Sequence, residues 1–477
     1  MVPDSSLARK CSQALVALLG PEKVSFPGSE SYNSVLSSYF TPQVVTKQPL
    51  CVVLPTTTEE LSGVVKSLTA SSCDFAIRSG GHATIPDASN ASGGVTIDLR
   101  GFNLMELNED NSVLTAGVGV TWDAVYSKLD PLSLSVAGGR VGGVGVPGLT
   151  LGGGISYFGP RYGWTCNSAL SFEVVLADGS IAIVDEALDP EFFHGLRGGM
   201  NNFGIVTQIK YKTFQQGLLW AGSVYSPLSS LDEEVKVFSE LTKAENYDDF
   251  ASFIFGFGYS KERNLSVIIH ELVYTKPVEN PEYYQGFLVL PSIYNNSSIT
   301  STSSLAQVNA KQLPIGKARY AFSTTTFVPT EAMTHAVFNA WKSSLEVVGD
   351  IKGLSWSISM EPLPPSTYGR GATANSMGLA DRKKTLIVCL LTLTWADKAD
   401  DDRIQDAQAS LIGSIEEAAH KLGTYDPFKY INYAAQWQDP IAGYGKASVQ
   451  KLQKLRARVD PDGVFTHRVT GGFKIPE

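Results

Sequence analysis

The spacing of apolar and polar positions divides the 477-residue chain into stretches of different texture. Up to about residue 213, short apolar runs alternate with helical periods. Leu7 to Leu19 carries apolar residues at helical spacing and stops at Gly20, which predicts an amphipathic helix. The run Cys51 to Leu54 reads as a strand. Thr56 or Thr57, with Glu59 and Glu60 soon after, caps a helix over Leu61 to Leu68. Phe75 to Arg78 follows as a strand, giving a βαβ-like opening, with further strands at Val95 to Leu99 and Ser112 to Val120 and a helix beginning at Thr121. Phe172 to Val184 is a hairpin, because Asp178-Gly179 supplies the tight turn between two apolar runs.

Beyond Leu218 the strands become longer and alternate strictly. Phe250 to Phe257, Ser266 to Tyr274, Ala318 to Val328, Ser355 to Met360 and Lys384 to Trp395 are interleaved with helices from about Thr330 to Val348 and Asp401 to Leu422. This texture predicts an antiparallel sheet with helices on one face and the other free to wall a pocket. Asn295 to Ser304, rich in Ser and Asn, reads as an exposed loop. After about Asp426 come a tyrosine-rich strand and a basic helix from Lys446 to Val459, stopped at Asp460-Pro461-Asp462-Gly463.

Composition narrows the class. Hydrophobic residues at 43% and charged residues at 18% are those of a globular protein, and the length allows two to three domain-sized cores. A net charge of −9 without basic clusters argues against a nucleic-acid partner. The apolar run Leu386 to Ala396 is too short to span a bilayer, so no membrane association is expected. The five cysteines, Cys11, Cys51, Cys73, Cys166 and Cys389, show no metal spacing. Sequons at Asn90, Asn264, Asn295 and Asn296 favour a secreted protein or one of a secretory compartment, whose signal peptide is not in this chain, over the alternative of a cytoplasmic protein.

Two glycine-rich stretches are the candidates for chemistry. In Arg78-Ser79-Gly80-Gly81-His82, a strand enters two glycines that permit close backbone approach, and a histidine projects from the turn. The second stretch, Ala137 to Gly154, contains a formal GxGxxG from Gly143 to Gly148. A Rossmann site is rejected, since Pro147 and Gly152-Gly153-Gly154 conflict with the helix that such a fingerprint must open. Interleaved Val, Leu and Ile mark the stretch as buried, with N–H groups suited to a pyrophosphate or a polar ring edge. No GxSxG, GK[ST] or HExxH occurs, and the six histidines lack i, i+4 spacing, so no metal is expected.

These motifs in order, followed by Arg161-Tyr162-Gly163-Trp164, Gly198-Gly199-Met200-Asn201-Asn202-Phe203-Gly204-Ile205-Val206 and Tyr430-Ile431-Asn432-Tyr433, resemble the berberine-bridge-enzyme-like flavoprotein oxidases. These belong to the vanillyl-alcohol-oxidase / p-cresol-methylhydroxylase superfamily, and the texture is closest to fungal members of secondary metabolism. The resemblance implies an α+β fold: a two-part FAD-binding domain of the p-cresol-methylhydroxylase type (1–213 completed by 426–477) and a substrate domain (214–425) whose antiparallel sheet is covered by helices. It implies FAD bound by Arg78, Ser79, Gly80, Gly81, His82, Ala83, Val141, Gly142, Gly145, Val146, Gly148, Gly152, Gly153, Gly154, Tyr157, Gly163, Asn167, Gly204, Ile205, Val206, Tyr430 and Asn432. A covalent bond from His82 to the flavin is implied. Val141 stands where doubly linked relatives carry Cys, so a single linkage is expected. Pro147 and Asn167 depart from the family pattern of Gly and Asp. Tyr430 matches the tyrosine that acts as catalytic base in relatives, a role that requires a depressed pKa.

The expected function is an FAD-dependent oxidase taking hydride from a small natural product to flavin N5, with dioxygen as acceptor and hydrogen peroxide as product. Alternatives are an oligosaccharide or primary-alcohol oxidase of the same family, a flavin-bearing cyclase catalysing a non-redox pericyclic closure, and a ligand-binding protein without turnover. A monomer is expected, with a Cys11–Cys51 disulfide if the chain is secreted.

Overall fold

A computed structural model describes residues 5–370 and 375–477. The first helix, Ser5–Leu19, packs on the helix Thr58–Ala70. Thr57 caps the latter by accepting the Glu60 N–H at 3.2 Å. The disulfide joins Cys11 to Cys73 with Cα atoms 6.4 Å apart, correcting the expected Cys11–Cys51 pair. The reason is packing: Cys73 sits just past the helix that faces Cys11, whereas Cys51 is wholly buried in its strand. Burial pushes the Cys51 thiol up to about 12, so it stays protonated.

Two sheets build the first part of the chain. One runs Val24–Ser25, Cys51–Val53, Val95–Asp98, Phe75–Arg78, with the last three parallel. Val95–Asp98 is thus inserted between the two strands of the βαβ-like opening. The second sheet is antiparallel, in the order Met105–Leu107, Val113–Gly117, Ile205–Lys212, Ala169–Val175, Ile181–Asp185. Its last pair is the expected hairpin, with Gly179 at φ 77°. One hydrophobic core joins these sheets to Phe428, Tyr430, Tyr444, Leu455 and Phe465, so the C-terminal segment packs into the N-terminal part.

The long strands form one antiparallel sheet of nine. Its centre runs Leu219–Ser226, Leu265–Tyr274, Ala251–Ser260, Ser355–Leu363, Leu386–Trp395, Arg319–Phe327. Period-2 alternation assigns its faces. Phe253, Phe255, Trp356, Ile358, Met360, Cys389 and Leu391 share a second core with Val337 and Trp341 of the helix Glu331–Val348 and Leu411 and Ile415 of the helix Asp401–Lys421. Ser252, Ile254, Glu271, Val273, Ser359, Glu361, Leu390 and Thr392 face the other way, into a cavity.

Three local expectations are corrected. Val146–Leu151 is a short α-helix despite Pro147, because proline sits in the first turn, where its missing N–H is not needed. Asn295 to Ser304 is not a free loop. Tyr294–Asn295 and Ser298–Thr300 pair with Leu219–Ser226, and Ser301 caps the helix Thr302–Lys311. The tyrosine-rich strand is a turn, closed by the Tyr433 N–H donating to the Tyr430 carbonyl at 2.9 Å. Asn264, Asn295 and Asn296 are exposed, but Asn90 is buried with its amide donating to Val44 and Lys47 carbonyls, so that sequon is inaccessible in the fold. No helix among the described residues is long and apolar enough to cross a membrane.

Candidate active site

The two glycine-rich stretches meet backbone to backbone. A Cβ on Gly80 would lie 2.5 Å from the Gly145 nitrogen, and one on Gly145 would lie 2.6 Å from the Gly80 nitrogen, so neither position accepts a side chain. Ser79 fixes the turn by donating to the Val118 carbonyl at 2.6 Å. Arg78 lies behind the turn, where it donates to the Val35 carbonyl at 2.8 Å and pairs with Asp98 at 3.7 Å under the Tyr39 ring. It supports the turn and does not line the cavity.

His82 emerges from this turn stacked on Phe40, with ring centroids 3.8 Å apart. Its Nε2 is shielded from solvent and has no hydrogen-bond partner among the described residues. Burial pulls its pKa down to about 4, so the imidazole is neutral at pH 7 and carries a free polar nitrogen.

A cavity of about 520 Å³ lies between the glycine turns and the open face of the nine-stranded sheet. Ser79, Gly80, Gly81, His82 and Ala83 line it from the first stretch, and Val141, Gly145 and Gly148 from the second. Gly204, Ile205 and Val206 add a third side, and Tyr157, Tyr430 and Asn432 complete the expected lining. The remaining expected positions stand behind this wall. Gly142 donates to the Ala306 carbonyl at 2.8 Å, and Val146 donates to the Val120 carbonyl. Gly152 leaves room for Asn432, whose Oδ1 would lie 2.2 Å from a Cβ there. Gly153 and Gly154 hold φ values of 102° and 87°, and Gly163, at 81°, ends the turn Gly159–Tyr162. Asn167 donates to the Arg370 carbonyl at 2.5 Å, away from the cavity.

Tyr430 is held by three donors. Its phenolic oxygen accepts from the Gly154 N–H at 3.1 Å, the Ile155 N–H at 3.0 Å and Asn432 Nδ2 at 3.0 Å. A neutral phenol has two lone pairs, so three converging donors suit a tyrosinate. Burial nevertheless dominates and pushes the hydroxyl up to about 12, with the donors and Arg140 acting in the opposite sense.

A charged cluster adjoins it. Arg140 Nη2 donates to both Glu361 oxygens at 3.0 and 2.8 Å and to the Tyr433 hydroxyl at 2.5 Å. Burial works against the guanidinium charge, but Glu361 and Tyr433 beside it hold Arg140 above its ordinary range. Asn309 bridges the Arg140 carbonyl at 3.0 Å and the Tyr157 hydroxyl at 2.7 Å. On the sheet face, Glu271 accepts one hydrogen bond, from Ser223 Oγ at 2.8 Å, and burial raises its carboxyl to about 7.

Comparison with known proteins supplies the context. Residues 49–185 match the model of the FAD binding domain. The chain is 40% identical over 97% of its length to the Diaporthe leptostromiformis Oligopeptidase PhomG', of which it spans 37%. It is 34% identical over 94% of its length to the FAD-dependent monooxygenase tpcD of Cochliobolus heterostrophus, covering 89% of that protein. The fold is shared with the berberine bridge enzyme in complex with (S)-reticuline, at a TM-score of 0.80, 16% identity and 98% coverage of both chains. The chain belongs to the family of FAD-dependent oxidoreductases that includes the fungal monooxygenase tpcD, and it has the fold of the berberine-bridge-enzyme-like oxidases. Another member of this fold is the glucooligosaccharide oxidase of Acremonium strictum, with its 6-S-cysteinyl, 8α-N1-histidyl FAD, at a TM-score of 0.79, 17% identity and coverage of 97% and 99%.

This protein is therefore an FAD-dependent enzyme whose site draws on residues that sequence motifs did not single out. Arg140 was visible only as part of the glycine stretch. Asn309 lay just beyond a block read as loop. Glu271 and Glu361 occupy cavity-facing phases of otherwise apolar or small-residue strands, and that phase was the one signal available.

Proposed function

We propose that the protein is an FAD-dependent oxidase acting on a small, partly apolar natural product by alcohol oxidation, dehydrogenation or oxidative cyclisation. FAD, when bound, takes a hydride from the substrate at N5 and passes the electrons to dioxygen, giving hydrogen peroxide. The cavity's residues fit that cofactor on two observations: the glycine cradle of Gly80 and Gly145, and the unpartnered His82 nitrogen. His82 would be the single covalent tether, since Val141, which lines the same cavity, has no thiol to make a second linkage. The other glycine-stretch residues, with Gly204, Ile205 and Val206, hold the cofactor, using the parts 1–213 and 426–477, while 214–425 receives the substrate.

Tyr430 is the residue that takes the substrate's proton. The single observation that carries this role is the convergence of three donors on its oxygen, which favours the tyrosinate that must be present before the substrate's proton arrives; because burial raises the hydroxyl to about 12 in place of the depression expected, that form grows as pH rises. The Arg140–Glu361–Tyr433 cluster keeps the adjoining wall polar and rigid. Apolar side chains such as Val273, Leu305, Phe322 and Leu390 dominate the rest of the lining, which favours a compact metabolite over an oligosaccharide. The chain acts as a monomer in a secretory compartment, consistent with the Cys11–Cys73 disulfide.

The test is anaerobic mixing of the purified yellow protein with candidate substrates, followed by admission of air. Flavin bleaching and peroxide in proportion to product are expected. A compound converted while the flavin stays oxidised would overturn the oxidase reading in favour of a non-redox cyclase.

A further inference from the structure

Most buried carboxylates of this protein have an evident structural employment. Asp98 lies between Arg78 and Arg100, Glu234 meets His270 at 3.0 Å, and Glu361 is clasped by Arg140. Asp460 accepts the backbone N–H groups of Val464 and Phe465, both at 2.8 Å. Glu271 differs. It stands on the cavity face of a central strand, opposite Ser223 on one neighbour and Ile254 on the other. Its one side-chain hydrogen bond comes from that Ser223 hydroxyl, through Oε2. Among the described residues no cation pairs with it, and Arg140, whose charge favours its ionised form, is itself paired with Glu361.

The surroundings make this placement costly. Val273, two residues along the same face, belongs to an apolar cluster with Tyr157, Leu219, Ala221 and Leu305. A carboxyl in such a wall with one weak donor is destabilised when ionised and lacks a partner for Oε1. It contributes nothing to the core on the far side of the sheet, where His270 and Leu272 point. A polar group held at a cost to the fold, aimed into a ligand cavity with one oxygen open, is the arrangement of a recognition site.

We propose that Glu271 is a specificity-determining residue, whose Oε1 accepts a hydrogen bond from an O–H or N–H donor of the substrate. The substrate class is thereby narrowed to compounds carrying a hydroxyl or a basic nitrogen set against an apolar body. This rests on the reading of the cavity as the substrate chamber, yet it concerns binding and not turnover.

The experiment is anaerobic calorimetric titration of the FAD-loaded enzyme and of its Glu271→Gln and Glu271→Leu variants with benzylamine, benzyl alcohol and benzyl methyl ether. The wild type is expected to bind at least one of the two donor-bearing probes about tenfold or more tightly than the ether, and Glu271→Leu to abolish that preference. Glu271→Gln keeps an acceptor oxygen but no charge. Retained preference for benzyl alcohol in that variant supports a neutral hydroxyl partner, and loss in both variants supports an ammonium partner. A wild type that does not discriminate against the ether, or a Glu271→Leu variant that still does, overturns the proposal. Peroxide formation is read separately, so failure of the oxidase reading leaves these binding results to stand or fall alone.

Discussion

The phenolic oxygen of Tyr430 lies 3.1 Å from the backbone nitrogen of Gly154 and accepts its hydrogen. That contact ties the C-terminal segment to the second glycine stretch, 276 positions earlier in the chain. It depends on Gly154 at φ 87°, a conformation L side chains rarely adopt. A Cβ there would also press on Thr165 at 2.4 Å. The glycine therefore serves to aim an N–H at a side chain.

Tyr430→Phe removes the acceptor and leaves the Gly154 and Ile155 N–H groups and the Asn432 amide without their shared partner. Flavin reduction in stopped-flow experiments should slow by about 10²- to 10⁴-fold, with a smaller change in KM. Because burial raises this hydroxyl to about 12, the wild-type rate should climb with pH across the alkaline range, and the variant should lose that dependence. An unchanged slope in the variant would assign the titration to another group.

His82→Ala tests the tether. Acid precipitation should leave FAD in the supernatant of the variant and in the pellet of the wild type. The Phe40 ring that stacks on His82 should keep the pocket folded, so calorimetric FAD binding should persist without the covalent bond. Flavin remaining with the precipitated variant would place the linkage elsewhere.

The contrast between what sequence motifs disclosed and what they did not has a physical pattern. His82 and the Gly80–Gly145 contact were legible because close backbone approach requires glycine, and glycine is conspicuous in a sequence. The long strands and the helices Glu331–Val348 and Asp401–Lys421 were legible because burial on one face imposes a period. Glu271 and Arg140 were not, since their importance arises from a cavity assembled across the fold. Pro147 misled because its effect depends on position within the helix: in the first turn of Val146–Leu151 it costs no hydrogen bond. The partner of Cys11 was decided by the packing of Ser5–Leu19 against Thr58–Ala70, which no local pattern encodes.

That disulfide gives a stability prediction. It closes a separation of 62 residues, and its loss through Cys73→Ser should cost about 2–4 kcal/mol in urea unfolding. A non-reducing peptide map should recover the peptides of Cys11 and Cys73 as one species, with Cys51, Cys166 and Cys389 as free thiols. Recovery of a Cys11–Cys51 species would contradict the helix packing described above.

Glu271 supplies a pH dependence whose sign follows from its environment. Its folded-state carboxyl titrates near 7, above the usual carboxylate range, because burial disfavours the ion. Below about pH 4 the group is protonated in both folded and unfolded chains and makes no difference. Between the two values the folded protein binds the extra proton, so the stability it carries is progressively lost as pH rises to about 7. Glu271→Gln is neutral throughout and escapes that loss. Relative to wild type, the variant should match at pH 4 and be more stable at pH 8 by on the order of 2 kcal/mol. Thermal unfolding of both proteins across this range measures the difference. Parallel curves would mean that Glu271 is solvated or already paired, and that water reaches the cavity wall beside Val273.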